Sequence, residues 1–140
     1  MMIIQVIGTF AAVISFAIII GVPRQFLGHA GFVGAVGWLV YLILGNAGLS
    51  VVARMFYAAL VVSLISHSFA RIKKTPVTLF LIAGILPLVP GVGMYQIVYN
   101  LITNNSSMAA HYFTETLLIA GMIALAIFVM DTIFRIFQKN

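Results

Sequence analysis

The stretch Ile85-Leu86-Pro87-Leu88-Val89-Pro90-Gly91-Val92-Gly93-Met94-Tyr95 sets two prolines three apart and follows them with two glycines. Pro87 and Pro90 have no N–H to give, so in a continuous helix the carbonyls of Ala83 and Leu86 would lose their partners. Gly91 and Gly93 add backbone freedom directly beyond. A helix carrying this run is expected to break between Leu86 and Gly91. A second half-helix would then start near Pro90. Its unpaired N–H groups, from Gly91 to Gly93, form the positive end of a helix dipole and suit a carboxylate without any Lys or Arg. The freed carbonyls from Ala83 to Leu86 suit a cation. Beyond the break, Gln96, Asn100 and Thr103 recur at helical spacing. They read either as a polar path or as helix–helix hydrogen bonds, the commoner use of such residues. Tyr95 and Tyr99 form a neighbouring stripe.

Glu115 is the second candidate. It lies early in an apolar run, where an acid either couples to protons or is a helix-start carboxylate favoured by the dipole. Asp131 stands four residues before Arg135, and a local pair accounts for it. His29, His67 and His111 fall at depths that do not converge, so no metal site is expected. His67 with Ser63 and Ser66 reads as a vestibule lining or, more commonly for such residues, as a packed polar face. No cofactor is expected and no catalytic residue stands out. The chain has no cysteine, and its two acids would lie about 24 Å apart along one helix. An intramembrane enzyme is therefore a poor reading.

These residues sit in a chain of 140 of which 64% are hydrophobic and 6% charged. A soluble domain of this size carries roughly a quarter charged residues. The expected fold class is all-α, a single transmembrane domain over residues 1–140 with five spans. A span needs about 20 apolar residues. The spans run from about Met2 to Val22, Phe26 to Leu44, Leu49 to Ala70, Pro76 to Thr103 and Ala109 to Phe137. Met1-Met2-Ile3-Ile4 lacks the basic start of a secretory signal, so the first run is expected to remain as a span. Thr75 is placed as N-cap of the fourth span, with Pro76 at its first helical position. Long runs without alternation exclude a β-barrel. Gly31, Gly34, Gly37, Ala30 and Ala35 on span two, and Ala59, Ser63, Ser66 and Ala70 on span three, read as close helix packing. No strand precedes the glycines, so they are not a phosphate loop.

Pro76 to Leu86 measures about 16 Å as helix, half of a hydrocarbon core of about 30 Å. The break is thus expected near the midplane. Unpaired backbone there is tolerated only where protein buries it or a cavity adjoins it. A lone proline would be read as a kink. Pro-x-x-Pro-Gly-x-Gly at that depth favours a functional break, as in discontinuous transporter helices.

Lys and Arg set the orientation. Arg24, Arg71, Lys73, Lys74, Arg135 and Lys139 share one side if the chain crosses five times, and the loops around Asn46 and Asn104 carry none. The N-terminus is then outside and the C-terminus in the cytosol. Arg54 is the exception, near the outer end of span three, where it could snorkel outward. The net charge of +5 comes from basic residues scattered between apolar runs, so nucleic acid is not expected as a partner.

Several runs resemble the threonine/serine exporter family, in particular its small YjjB-type subunit or the C-terminal half of the fused ThrE-like exporters. They are Thr75-Pro76-Val77-Thr78-Leu79-Phe80 with the Pro87 to Gly91 motif and Tyr95; Val22-Pro23-Arg24 leading to Gly31, Gly34, Ala35, Gly37 and Trp38; and Glu115 to Gly121. The resemblance implies export of small hydrophilic carboxylates across a bacterial inner membrane. Threonine and serine belong to one branch, and succinate is associated with the split two-subunit branch. It also implies a larger multi-span partner subunit. An odd span count starting outside is what half of an inverted five-plus-five repeat requires. Whether the chain also assembles with itself is left open by its residues.

The expected function is therefore a transporter subunit in the lipid bilayer. Substrate would bind at Pro87, Pro90, Gly91, Gly93, Tyr95, Gln96 and Asn100, with Glu115 in coupling. The competing reading is a non-transporting structural or assembly subunit of a membrane complex.

Overall fold

A computed structural model describes all of residues 1–140. It is helical throughout: α1 (Met2–Ile19), α2 (Leu27–Asn46), α3 (Val51–Lys73), α4 (Thr78–Ile85), α5 (Gly91–Ile102) and α6 (Ser106–Lys139). Single 3-10 turns lie at Arg24–Phe26 and Leu86–Leu88. Four segments are long and apolar enough to cross a membrane. The pair Thr78–Leu88 and Gly91–Ile102, bent by 47° at its break, passes the same test together and adds a fifth where it counts as one broken span. The fold is thus all-α, with four to five candidate membrane-spanning helices and one bent pair.

Four helix ends close the same way. At the end of α1, Gly21 takes φ +80° while the Val22 N–H reaches the Ala17 carbonyl and the Gly21 N–H reaches Ile18. These two bonds satisfy carbonyls that the helix would otherwise leave open. Gly48 does the same after α2, Lys74 (φ 54°) after α3 and Asn104 (φ 58°) after α5. Only a reversed turn of this kind lets consecutive spans fold back through such short connections. Ser50 and Asn105 then start the next helices, accepting from the N–H groups of Ala53 and Met108 at 3.3 Å each. Thr75 does not play this part. Helix α4 starts from Val77 with no side-chain cap, its first turn closed by Leu79 N–H on the Pro76 carbonyl. The Thr75 hydroxyl is buried without a partner.

Close backbone approach holds the bundle together. Helix α2 is the hub, touching α1, α3 and α4. A Cβ on Gly34 would stand 2.5 Å from Val13 Cγ2, and one on Gly84 would stand 2.5 Å from Val33 Cγ1 and 3.3 Å from Val62 Cγ1. Gly37 meets Val62 more closely still. These glycines are packing surfaces, as small residues between spans usually are. Val33, Val62, Gly37 and Gly84 form a waist between α2, α3 and α4. Phe80 and Leu88, both fully buried, anchor the two sides of it. Helix α6 packs along α3 on one side and α5 on the other. Helix α5 leans on α6 alone among the long helices and leaves Val92, Tyr95, Val98 and Ile102 more than half exposed.

Candidate functional site

The two prolines do different jobs. Leu86 precedes Pro87 yet keeps helical angles, so Pro87 only tightens the chain into a 3-10 turn. Val89 precedes Pro90 and is extended (φ −62°, ψ 129°), the conformation that a following proline favours. Pro90 itself takes φ −77°, ψ 59°. This is an inverse γ-turn, closed by the Gly91 N–H donating to the Val89 carbonyl at 2.8 Å. Pro90 therefore breaks the helix.

Two expectations about the freed backbone change as a result. The Leu86 carbonyl is not free, because it accepts from Val89 N–H at 3.1 Å. The Gly91 N–H is also spent on its own turn. The Val92 and Gly93 N–H groups make no backbone bond, and Met94 is the first residue of α5 to bond back, to the Pro90 carbonyl at 3.1 Å. The anion-seeking end of the half-helix is therefore Val92 and Gly93.

These groups border a cavity of about 290 Å³. The break supplies Pro87, Pro90, Gly91 and Gly93, and α6 supplies Glu115 and Thr116. The far wall is Trp38 and Tyr41 of α2 with Met55 of α3. Trp38 and Tyr41 stack at 4.9 Å between ring centroids. The Arg54 guanidinium lies 4.6 Å over the Tyr41 ring and presses against Gly45. It backs the wall without lining the cavity, and its Nε is buried without a partner. Arg54 is thus held by an aromatic face and does not snorkel freely. Met55 is one turn from the start of α3, and Val62 of the waist lies nearly two turns deeper. The cavity therefore sits on the Asn104 side of the waist.

Tyr95, Gln96 and Asn100 are not brought to this cavity. Tyr95 is 63% exposed and stacks on Tyr99. Asn100 is buried, and its side-chain amide donates to the Gln96 carbonyl at 2.7 Å. That is a bond within one helix, which no periodicity can tell from a polar path. Thr116, missed in the sequence, is a core part of the site. Its hydroxyl sits so close to Gly93 that a Cβ there would overlap it. The spacing Tyr112, Glu115, Thr116, Ile119 on one face of α6 was the signal available for it.

Glu115 is partly exposed, with an oxygen 4.0 Å from His111 Nε2 one turn away. Asp131 binds Arg135 at 2.8 Å, the local pair that the spacing implied. It also lies 3.9 Å from His67 on α3. His29 packs among Phe26, Phe69 and Phe80. Ser63 and Ser66 are fully buried in the bundle, and their hydroxyls have no partner.

The broken pair thus borders a small cavity with one acid, Glu115, in its lining. A family model described as "Threonine/Serine exporter, ThrE" matches residues 5–133. The chain belongs to the threonine/serine exporter family. As a member of that family it is a multi-pass membrane protein of the exporter type, and the family's work is transport, not catalysis. No solved structure matches the chain.

Proposed function

We propose that this exporter chain moves a small zwitterionic amino acid, threonine or serine, and holds it in the cavity at the helix break. The observation that carries this reading is the charge of the lining. The break offers two free N–H groups, at Val92 and Gly93, for an α-carboxylate. Across the cavity stands one acid, Glu115, and no Lys or Arg, which suits an ammonium group. A dicarboxylate such as succinate would bring a second negative charge toward Glu115 with no cation to meet it. The Thr116 hydroxyl adds a polar contact for a hydroxylated side chain.

Glu115 then couples transport to protons. A proton arriving from the Asn104 side removes the charge that holds the ammonium, and the amino acid is released there. The basic residues support a cytosolic position for the Lys74 end in a bacterial inner membrane, so release on the Asn104 side is export. An odd span count, as in one half of an inverted repeat, supports a second, larger subunit that completes the site.

The test is uptake of labelled L-threonine into everted membrane vesicles, with and without the larger subunit. Glu115→Gln should abolish stimulation by an imposed pH gradient. Succinate uptake that exceeds threonine uptake and needs Glu115 would contradict this assignment.

A further inference from the structure

A second cavity lies at the opposite end of the same helix seam. Helix α6 packs along α3 and lines both cavities, with Tyr112, Glu115, Thr116 and Ile119 at one and Asp131, Phe134, Arg135 and Gln138 at the other. The break cavity borders its Asn104 end. A cleft of about 580 Å³ borders its Lys74 end, between the last turns of α3 and α6. Between the two, Ile119, Ile123 and Ala126 of α6 and Ser63 and Ser66 of α3 are all buried.

The lining of this cleft is the electrostatic complement of the first. It holds Arg71, Lys74 and Arg135 against one carboxylate, Asp131. Asp131 is committed to Arg135 at 2.8 Å, so Arg71 and Lys74 remain as surplus positive charge. Arg71 is fixed in place: its Nη2 donates to the Phe134 carbonyl at 2.8 Å, and its guanidinium lies 4.6 Å over the Phe134 ring. The His67 ring stacks on the same phenyl group at 4.7 Å, which leaves His67 only 9% exposed. A guanidinium has five N–H donors, and one bond to Phe134 leaves most of them for another oxygen. Thr75 also lines the cleft.

We propose that this cleft is the loading site, where Arg71 and Lys74 capture the carboxylate of the solute before it moves along the α3–α6 seam to the helix break. The proposal rests on the exporter reading above. It adds a site on the opposite side of the waist and assigns capture and release to cavities of opposite charge. Carboxylate is drawn to the cationic cleft from the Lys74 side, and the ammonium is held and then let go by Glu115 on the other. Anionic lipid headgroups share the oxyanion chemistry and are the competing source.

The chain lacks cysteine, so Gln138→Cys places a single thiol in the cleft. Its rate of reaction with a neutral maleimide is followed in everted vesicles. Millimolar L-threonine should slow the reaction about threefold or more. Arg71→Gln with Lys74→Gln should remove that protection and raise KM for threonine uptake more than it lowers the maximal rate. Lys74→Gln alone, at an exposed residue, should do part of the same if the double variant is poorly made. The proposal is overturned if threonine gives no protection, or if protection survives the double variant. It is also overturned if the rate follows only the phosphatidylglycerol content of reconstituted vesicles, since the cleft would then hold a headgroup. If Glu115→Gln abolishes proton-driven uptake while the double variant keeps its KM, the loading site falls and the exporter reading stands. If wild-type vesicles show no uptake of threonine, the exporter reading itself fails.

Discussion

Gly93 and Thr116 touch so closely that the start of α5 is clamped to α6 through the absence of a side chain: a Cβ on Gly93 would overlap the Thr116 hydroxyl. This contact fixes the half-helix whose free N–H groups face the cavity. Gly93→Ala should therefore displace α5 and cost about 1–3 kcal/mol as overpacking. The double variant Gly93→Ala/Thr116→Ala removes the offending oxygen and should recover most of the lost stability. Thermal melts of the purified protein in detergent check this. Equal melting temperatures for the single and double variants would show that the clamp is not there.

Orientation gives the next expectation. Single cysteines at Asn104 and Asn140 should label from opposite sides of the membrane, Asn104 from outside and Asn140 from the cytosol. Impermeant maleimide applied to intact cells and to everted vesicles separates the two. Labelling of both from the same side would remove the crossing made by α6.

Glu115→Gln keeps the shape of the acid and removes its charge. In the proposed cycle the wild type exports faster as the outside is acidified, because protonation there releases the amino acid. The glutamine variant should lose this dependence and bind threonine more weakly, with membrane content unchanged. Rates measured against external pH at fixed internal pH decide the matter. A wild-type pH profile in the variant would return Glu115 to a helix-start carboxylate beside His111.

Much of this was legible in the sequence because the physics is local. Pro90 forces Val89 to extend and leaves the next turn without bonds wherever the segment lies. Gly31, Gly34 and Gly37 stand where helices touch, and the Asp131–Arg135 pair follows from spacing alone. What stayed hidden depends on which helix faces which. Gln96 and Asn100 share a helical face with the right spacing for a path, yet the Asn100 amide turns back to its own backbone. Trp38, Tyr41 and Met55 carry no chemical signature that separates a cavity wall from ordinary core. Thr116 is one of many threonines until Gly93 is seen beside it. His67 and Asp131 stand in different spans, and only the packing of α3 on α6 makes them two walls of one cleft. The use of the Gly91 N–H within its own turn also could not be read, because it depends on the ψ of Pro90.

In the proposed function the amino-acid carboxylate docks on the Val92 and Gly93 N–H groups at the break. Gly91 is the cleanest position from which to block that approach, since nothing lies within 4 Å of an added Cβ there. A charge-assisted hydrogen bond contributes roughly 1.5–3 kcal/mol, which is about 10- to 100-fold in affinity. The decisive measurement is the Kd of labelled L-threonine for wild type, Gly91→Val and the control Gly121→Val, whose glycine also faces open space, each in the same lipid nanodiscs. Gly91→Val should weaken binding by about 10- to 100-fold while Gly121→Val stays near wild type. Wild-type affinity in a correctly inserted Gly91→Val protein would contradict the claim.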